Sequence, residues 1–228
     1  LYENVFTRPF MRLFPTIPVP RGPGSGLVVG QRVERVLGEG RSVWLAQNRG
    51  RAKDGRNVTE PAILRNLAQA ANLPLEEYLS STRVIPVAVS AEYDPAIREK
   101  ALQHPSLVQR RKHRLSDAVS CWQGLVGRKG RARVHFGAAI PPVKTALEAA
   151  RAIDEHIVQN YFLWRTNSVA YDERCDAGPV NEWHALPVDL AYVFSRHRGL
   201  HRRIARLEER LRPIAMSIYA MPRLQRKA

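Results

Sequence analysis

The run Val84 to Val89, VIPVAV, constrains the fold of this chain more than any other stretch, because it is almost wholly apolar and β-branched. Such a run suits a strand covered on both faces, as in a parallel sheet. Pro86 within it has no N–H for a ladder, so it belongs at an edge, a bulge or a strand end. A second short apolar run, Val43 to Ala46, predicts a buried strand. It leads into a turn loaded with cations: Arg49, Gly50, Arg51 and Lys53, then Asp54 and Gly55. A third strand is predicted in RARVHFG at 131 to 137, where Ala132, Val134 and Phe136 alternate with Arg131, Arg133 and His135. That alternation gives one apolar and one polar face.

Helical patterns separate these runs. Val29, Val33, Val36 and Leu37 share a face that Gly38 and Gly40 end. Thr59 is the expected N-cap of a helix with Pro61 in its first turn and Ile63, Leu64, Leu67 and Ala71 as its stripe. Further helices are expected over about 107–126, with Leu115, Val119, Trp122 and Val126 aligned, and over 144–163. Helices alternating with strands predict an α/β fold with a mixed, largely parallel sheet flanked by helices. The last long element, Asp189 to Arg212, is read as a basic amphipathic helix. Its stripe is Leu190, Val193, Phe194, His197, His201, Ile204, Leu207 and Leu211, with arginines on the rest of its surface. The expected organisation is an α/β domain over 1–166 and a C-terminal helical extension over 167–228.

The formal net charge of +15 asks for an anionic partner: nucleic acid, lipid headgroups or phosphorylated substrates. The basic stretches lack the interleaved aromatics of an RNA-recognition sheet, which speaks against nucleic acid. No apolar stretch is long enough to span a bilayer as a helix. Residues 15–26, PTIPVPRGPGSG, form a Pro- and Gly-rich connection, and the opening LYENVFTRPFMRLF reads as the middle of a domain with no signal peptide. Cys121 and Cys175 form no CxxC pair, so neither a zinc site nor a disulfide framework is expected.

The cationic loop carries the clearest chemistry. At the C-terminal end of a strand in an open sheet, a guanidinium fork meets phosphate oxygens bidentately. His197 and His201 stand at i, i+4 without the carboxylate of an HExxH motif, so no metal site is expected. His184 and Asp189, in HALPVD, have a spacing that lets a carboxylate orient a base. No GxSxG elbow, P-loop or dinucleotide fingerprint is present.

VWLAQNRGRAKDG, followed by RNVTEPAIL and VIPVAVSAEYDP, resembles the glycerophosphate and lysophosphatidate acyltransferase family, in particular a bacterial subgroup. The likeness continues through GRKGRARVHFG, NYFLWRTN at 160–167 and YAMP at 219–222. It implies an α/β fold attached peripherally to the cytoplasmic face of a bacterial inner membrane, an anionic surface. It implies transfer of a fatty acyl group from an acyl thioester to a glycerol-phosphate or lysophosphatidate hydroxyl, in phospholipid synthesis. Coenzyme A or acyl carrier protein carries the acyl group, and no other cofactor is expected. By the same resemblance Arg51, with Lys53 and Gly50 beside it, binds the acceptor phosphate. Arg21, in PVPRG, lies on the phosphate side too, and Pro86 shapes the acyl-donor side.

Two departures qualify the resemblance. The family's catalytic histidine, oriented by an aspartate downstream, precedes its other motifs, whereas the first histidine here is His104. The expectation is an N-terminally truncated domain with its catalytic residues unassigned, since His184 and Asp189 fall on the wrong side of the motif order. Arg49 stands where the family has glutamate, which reverses the charge beside the acceptor site. Both departures leave open an alternative, a non-catalytic anionic-lipid or phosphate-binding homologue.

Overall fold

The computed structural model describes residues 16–20, 22, 24–48, 54–107 and 122–227. Its helices are α1 (Ser25–Gly38), α2 (Pro61–Ala70), α3 (Leu75–Thr82), α4 (Ile97–Leu102), α5 (Ala146–Asn160), α6 (Arg165–Ala177), α7 (Leu190–Arg196), α8 (Arg198–Ala205) and α9 (Arg212–Lys227). Residues 122–126 are also helical, and 3-10 turns occupy Val180–Glu182 and Glu209–Leu211. Two strands, β1 (Val87–Ala91) and β2 (Ala132–Phe136), pair antiparallel.

The described chain is thus mostly helical with a two-stranded antiparallel sheet, which overturns the expectation of an α/β fold with a largely parallel sheet. The reasons are local. Val43–Ala46 has no ladder partner among the described residues and runs as extended chain, with Trp44 and Leu45 exposed and Val43 alone packed inward. Pro86, lacking an N–H, precedes the sheet, so only the end of VIPVAV enters β1. Glu92 N–H donates to Arg131 O at 2.8 Å and Gly137 N–H to Pro86 O at 3.0 Å, a register that sets Val89 opposite Val134.

The strand β2 also turns its faces the other way from the expectation. Ala132, Val134 and Phe136 are exposed, while Arg131 and Arg133 lie over the rings of Trp164 and Phe162, each 5.1 Å from the ring centre. Guanidinium planes stack on aromatic faces and leave their alkyl stems as packing surface, so the arginines cover the rings while staying exposed themselves.

The chain divides into two compact units: Leu1–Arg51, Val58–Val87 and Phe136–Ile157 in the first, and Ala52–Asn57, Ala88–His135 and Val158–Ala228 in the second. The boundary expected after residue 166 falls within the second unit. The first is built on Val33, Leu67, Ala68 and Tyr78, with Val29, Leu37, Val43 and Ile63 against them. Pro61 occupies the first turn of α2, where its missing N–H costs nothing. The N-cap is Glu60, not Thr59. Thr59 instead directs its N–H and hydroxyl to Asp154 Oδ1, at 2.8 and 2.5 Å.

In the second unit α9 is the central element, buried continuously from Pro213 to Pro222. Ile97, Ala101, Val169, Trp183, Val193, Leu200, Ile204 and Leu211 surround it. The single helix expected over Asp189–Arg212 is broken: His197, at φ −156° and ψ 89°, separates α7 from α8, and a 3-10 turn follows. Val193, Ile204, Leu207 and Leu211 of its stripe are buried nonetheless, because the breaks re-aim each short helix at the same core, whereas Phe194 is left exposed.

Many of the cations in this unit serve internal carbonyls. Arg212 reaches Ala205 O and Leu207 O at 3.3 and 3.2 Å, and Arg226 reaches the carbonyls of Val158, Gln159 and Tyr161. Arg174 is fully buried. It forms a bidentate pair with the adjacent Glu173, 2.6 Å at each oxygen, and donates to the carbonyls of Trp183, Leu186 and Pro187. All five guanidinium protons are therefore used, the condition under which a buried arginine is tolerated.

Candidate functional site

Arg21, Arg49, Gly50, Arg51 and Lys53 lie outside the described residues. Pro86 is described: it is buried immediately before β1, its carbonyl occupied by Gly137 N–H. The exit of the cationic loop, Asp54 to Asn57, is described as well and docks on α9. Gly55 has φ 80°, and a Cβ there would lie 2.7 Å from Ile218 O, so the position requires glycine on both counts. Asn57 N–H donates to Gln225 Oε1 at 3.0 Å, and Gln225 Nε2 returns a bond to Asn57 O at 3.2 Å.

Two histidines border this exit. The rings of His104 and His184 stack with centres 6.3 Å apart, and the charges of Asp54 and Arg56 both act on His104. Burial, followed by the neighbouring His184, holds the His104 pKa below the usual histidine range. Its Nδ1 accepts the Ser106 N–H at 3.2 Å, which leaves the ring proton on Nε2. Arg56 is exposed and pairs only loosely with Asp54, at 3.7 Å. Arg56 and the His104 Nε2–H thus supply N–H donors near the loop exit, beside the Asp54 carboxylate.

The polar residues of the remaining resemblance segments are knotted together. Tyr219, from YAMP, accepts the Asp94 N–H at 3.0 Å through its hydroxyl and the Asn167 side-chain amide at 2.9 Å through its carbonyl. Thr166 Oγ1 donates to Glu92 O at 2.9 Å. Arg131 N–H and guanidinium meet the Glu92 carboxylate at 3.2 to 3.4 Å. Burial raises the Glu92 pKa, but these Arg131 bonds and charge together outweigh it and bring the group below the ordinary carboxylate value. Gly130, at φ 66°, makes the approach possible, since a Cβ there would lie 2.7 Å from both Glu92 Oε2 and the Tyr93 ring. Asp94 pairs with Lys100 at 2.5 Å, and Arg203 lies 4.6 Å above the Tyr93 ring. Sequence reasoning missed this knot, because a buried Thr166 or Asn167 looks in sequence like any solvated polar residue.

None of these groups is arranged as a base and its orienting carboxylate. Asp189 caps α7 by accepting Tyr192 N–H at 2.9 Å, while His184 stacks on His104, and no hydrogen bond joins the two HALPVD residues. His197 Nδ1 accepts Leu200 N–H at 3.1 Å and so caps α8. His201 meets the Phe194 ring edge-on. Among the described residues no group of three or more His, Cys, Asp or Glu is placed to hold a metal ion.

The first unit holds a hollow of about 430 Å³. Arg65 and Lys144 stand on its rim, above Ala68, Leu73, Leu75 and Ala146. Neither cation has a carboxylate partner among the described residues. Comparison with protein-family models, with curated proteins and with solved structures finds no match to this chain.

Proposed function

We propose that the chain serves acyl transfer from an acyl thioester to the hydroxyl of a glycerol-phosphate or lysophosphatidate acceptor, its own part being to hold the acceptor's phosphate at the loop Arg49–Gly55. The observation that supports this reading is the meeting of the resemblance segments. Asn57 of RNVTEPAIL, Glu92 and Asp94 of SAEYDP, Arg131 of GRKGRARVHFG, Thr166 and Asn167 of WRTN and Tyr219 of YAMP, far apart in sequence, are tied to one another or to α9 within the second unit. A likeness arising by chance has no reason to select mutually bonded residues.

In the transfer, the acceptor oxygen bonds to the acyl carbon while the thioester C–S bond breaks. The hydroxyl proton passes to a base and finally to the departing thiolate. The loop cations neutralise the acceptor phosphate, and Arg56 with His104 Nε2–H adds donors at the loop exit. Peripheral attachment to an anionic membrane belongs to the same reading. No helix among the described residues is long and apolar enough to cross a bilayer.

A second reading, phosphate or anionic-lipid binding without transfer, draws on the Arg65 and Lys144 hollow and on the occupied Nδ1 atoms of His104 and His197. One experiment separates the two. Labelled acyl-coenzyme A and acyl carrier protein are offered with glycerol 3-phosphate or lysophosphatidate, and binding of labelled glycerol 3-phosphate is followed by equilibrium dialysis. Transfer supports the first reading, binding without transfer the second, and neither binding nor transfer removes both.

A further inference from the structure

We propose that the apolar face of residues 122–126, with the cations that follow it, is the surface on which this protein sits on an anionic bilayer. The proposal deepens the membrane-attachment part of the function above and rests on it.

The helical turn at 122–126 is oriented against the usual rule. Trp122, Leu125 and Val126 stand at i, i+3 and i+4, the spacing that normally faces a core. Here they are 61, 56 and 58 % exposed. The polar residue of the same turn faces inward: Gln123 Nε2 donates to Glu99 Oε1 at 3.2 Å. Gly127, whose N–H donates to Gln123 O at 2.8 Å, closes the turn. The outward aim of the apolar side is therefore fixed by the inward bond of Gln123.

The strand that follows repeats the inversion. Val134 and its opposite residue Val89 are each 49 % exposed, while Arg131 and Arg133 cover aromatic rings. Between the turn and the strand lie Arg128 and Lys129. Arg128 is exposed, and its guanidinium has no partner among the described residues. Lys129 Nζ donates to Leu125 O at 3.1 Å and so sits beside the apolar face.

An exposed tryptophan among aliphatic side chains, bordered by lysine and arginine, matches the chemistry of the bilayer interface. Indole lies at the headgroup level, the aliphatic groups enter the acyl boundary, and the cations meet anionic headgroups. A second protein would present a complementary apolar face of its own but would not account for the flanking cations. A nucleic acid would account for the cations but not for Leu125, Val126 and Val134.

The test uses the full chain and vesicles of phosphatidylcholine with phosphatidylglycerol. In a Trp44→Phe background Trp122 is the exposed indole among the described residues, since Trp164 and Trp183 are buried. Its emission is expected to shift to the blue on vesicles and to be quenched by brominated acyl chains. The variant W122S/L125S/V126S is expected to lose about tenfold or more in vesicle partitioning, and R128Q/K129Q to lose its salt-sensitive part. A single Trp122→Ser variant serves if the triple variant does not fold. Partitioning unchanged in these variants overturns this surface while leaving membrane attachment standing. Wild-type protein that ignores vesicles altogether, or that binds only duplex DNA, overturns both.

Discussion

The hydroxyl of Tyr219 accepts the backbone N–H of Asp94 at 3.0 Å, joining the segment that follows β1 to the buried face of α9. Burial, foremost, pushes the Tyr219 phenol pKa up, so the group stays neutral throughout the working range. Tyr219→Phe leaves a partly buried N–H without a partner. The expected loss is about 1–3 kcal/mol of unfolding free energy, read from urea unfolding. An unchanged midpoint would mean that the bond is replaced by solvent.

That bond also marks where sequence reasoning stopped. Periodicity located α1, α2 and β2, whereas β1 was found from a continuous apolar run expected to be covered on both faces, although Val89 is exposed. The apolar pattern failed at Val43–Ala46, whose apolar residues supply one packed side chain, Val43, and an exposed Trp44. It failed again at His197, where an imidazole caps one short helix and ends another within a continuous stripe. The strand β2 was found, but its apolar residues were expected to be the covered face and are exposed, since the alternation of arginine and valine does not say that the arginines will lie over Trp164 and Phe162. Of the expected site residues only Pro86 is described, and of the donors beside the loop exit Arg56 belongs to the loop while His104, stacked on His184, is distant in sequence and brought there by tertiary packing.

Arg174 and Glu173 form the most deeply buried ion pair among the described residues. Glu173 Oε1 also accepts Asp189 N–H at 2.9 Å, so the pair holds the loop from Trp183 to Asp189 by side chain and backbone together. Arg174→Ala strands the carboxylate and three carbonyls, and about 3–5 kcal/mol of stability should be lost. Arg174→Lys should rescue little, because an ammonium cannot reproduce the planar fork of five donors. Chemical denaturation of both variants decides this, and full rescue by lysine would show that charge alone matters.

His197 links pH to the stability of α8. Burial, the largest influence, holds its pKa below the ordinary value, with Glu92 pulling the other way. A histidine whose folded pKa is depressed stabilises the fold fully above its unfolded pKa of about 6.5, and this is lost as pH falls through the folded value. Protonation of Nδ1 also removes the acceptor of Leu200 N–H. The thermal midpoint should therefore fall between about pH 7 and pH 5. His197→Asn, which caps without titrating, should flatten that slope. His104 is shifted in the same direction, so it accounts for any slope that remains. An unaltered slope in His197→Asn would assign the whole effect to other groups.

The loop itself gives the sharpest functional prediction. A phosphate held by a guanidinium fork loses about 1.5–3 kcal/mol when the fork is removed, roughly ten- to a hundredfold in affinity. Arg51→Ala is therefore expected to raise the dissociation constant for glycerol 3-phosphate by that factor, while Arg65→Ala, on the hollow of the first unit, leaves it unchanged. Arg49 works in the opposite sense. It stands where the resemblance calls for glutamate, so Arg49→Glu should raise acyl transfer if the reversed charge is what misplaces the acceptor's glycerol hydroxyls. The same substitution adds a negative charge beside the phosphate and should weaken simple phosphate binding through repulsion. Opposite responses of transfer and binding to Arg49→Glu would tie this residue to positioning of the acceptor. Parallel losses in both would make Arg49 another phosphate cation.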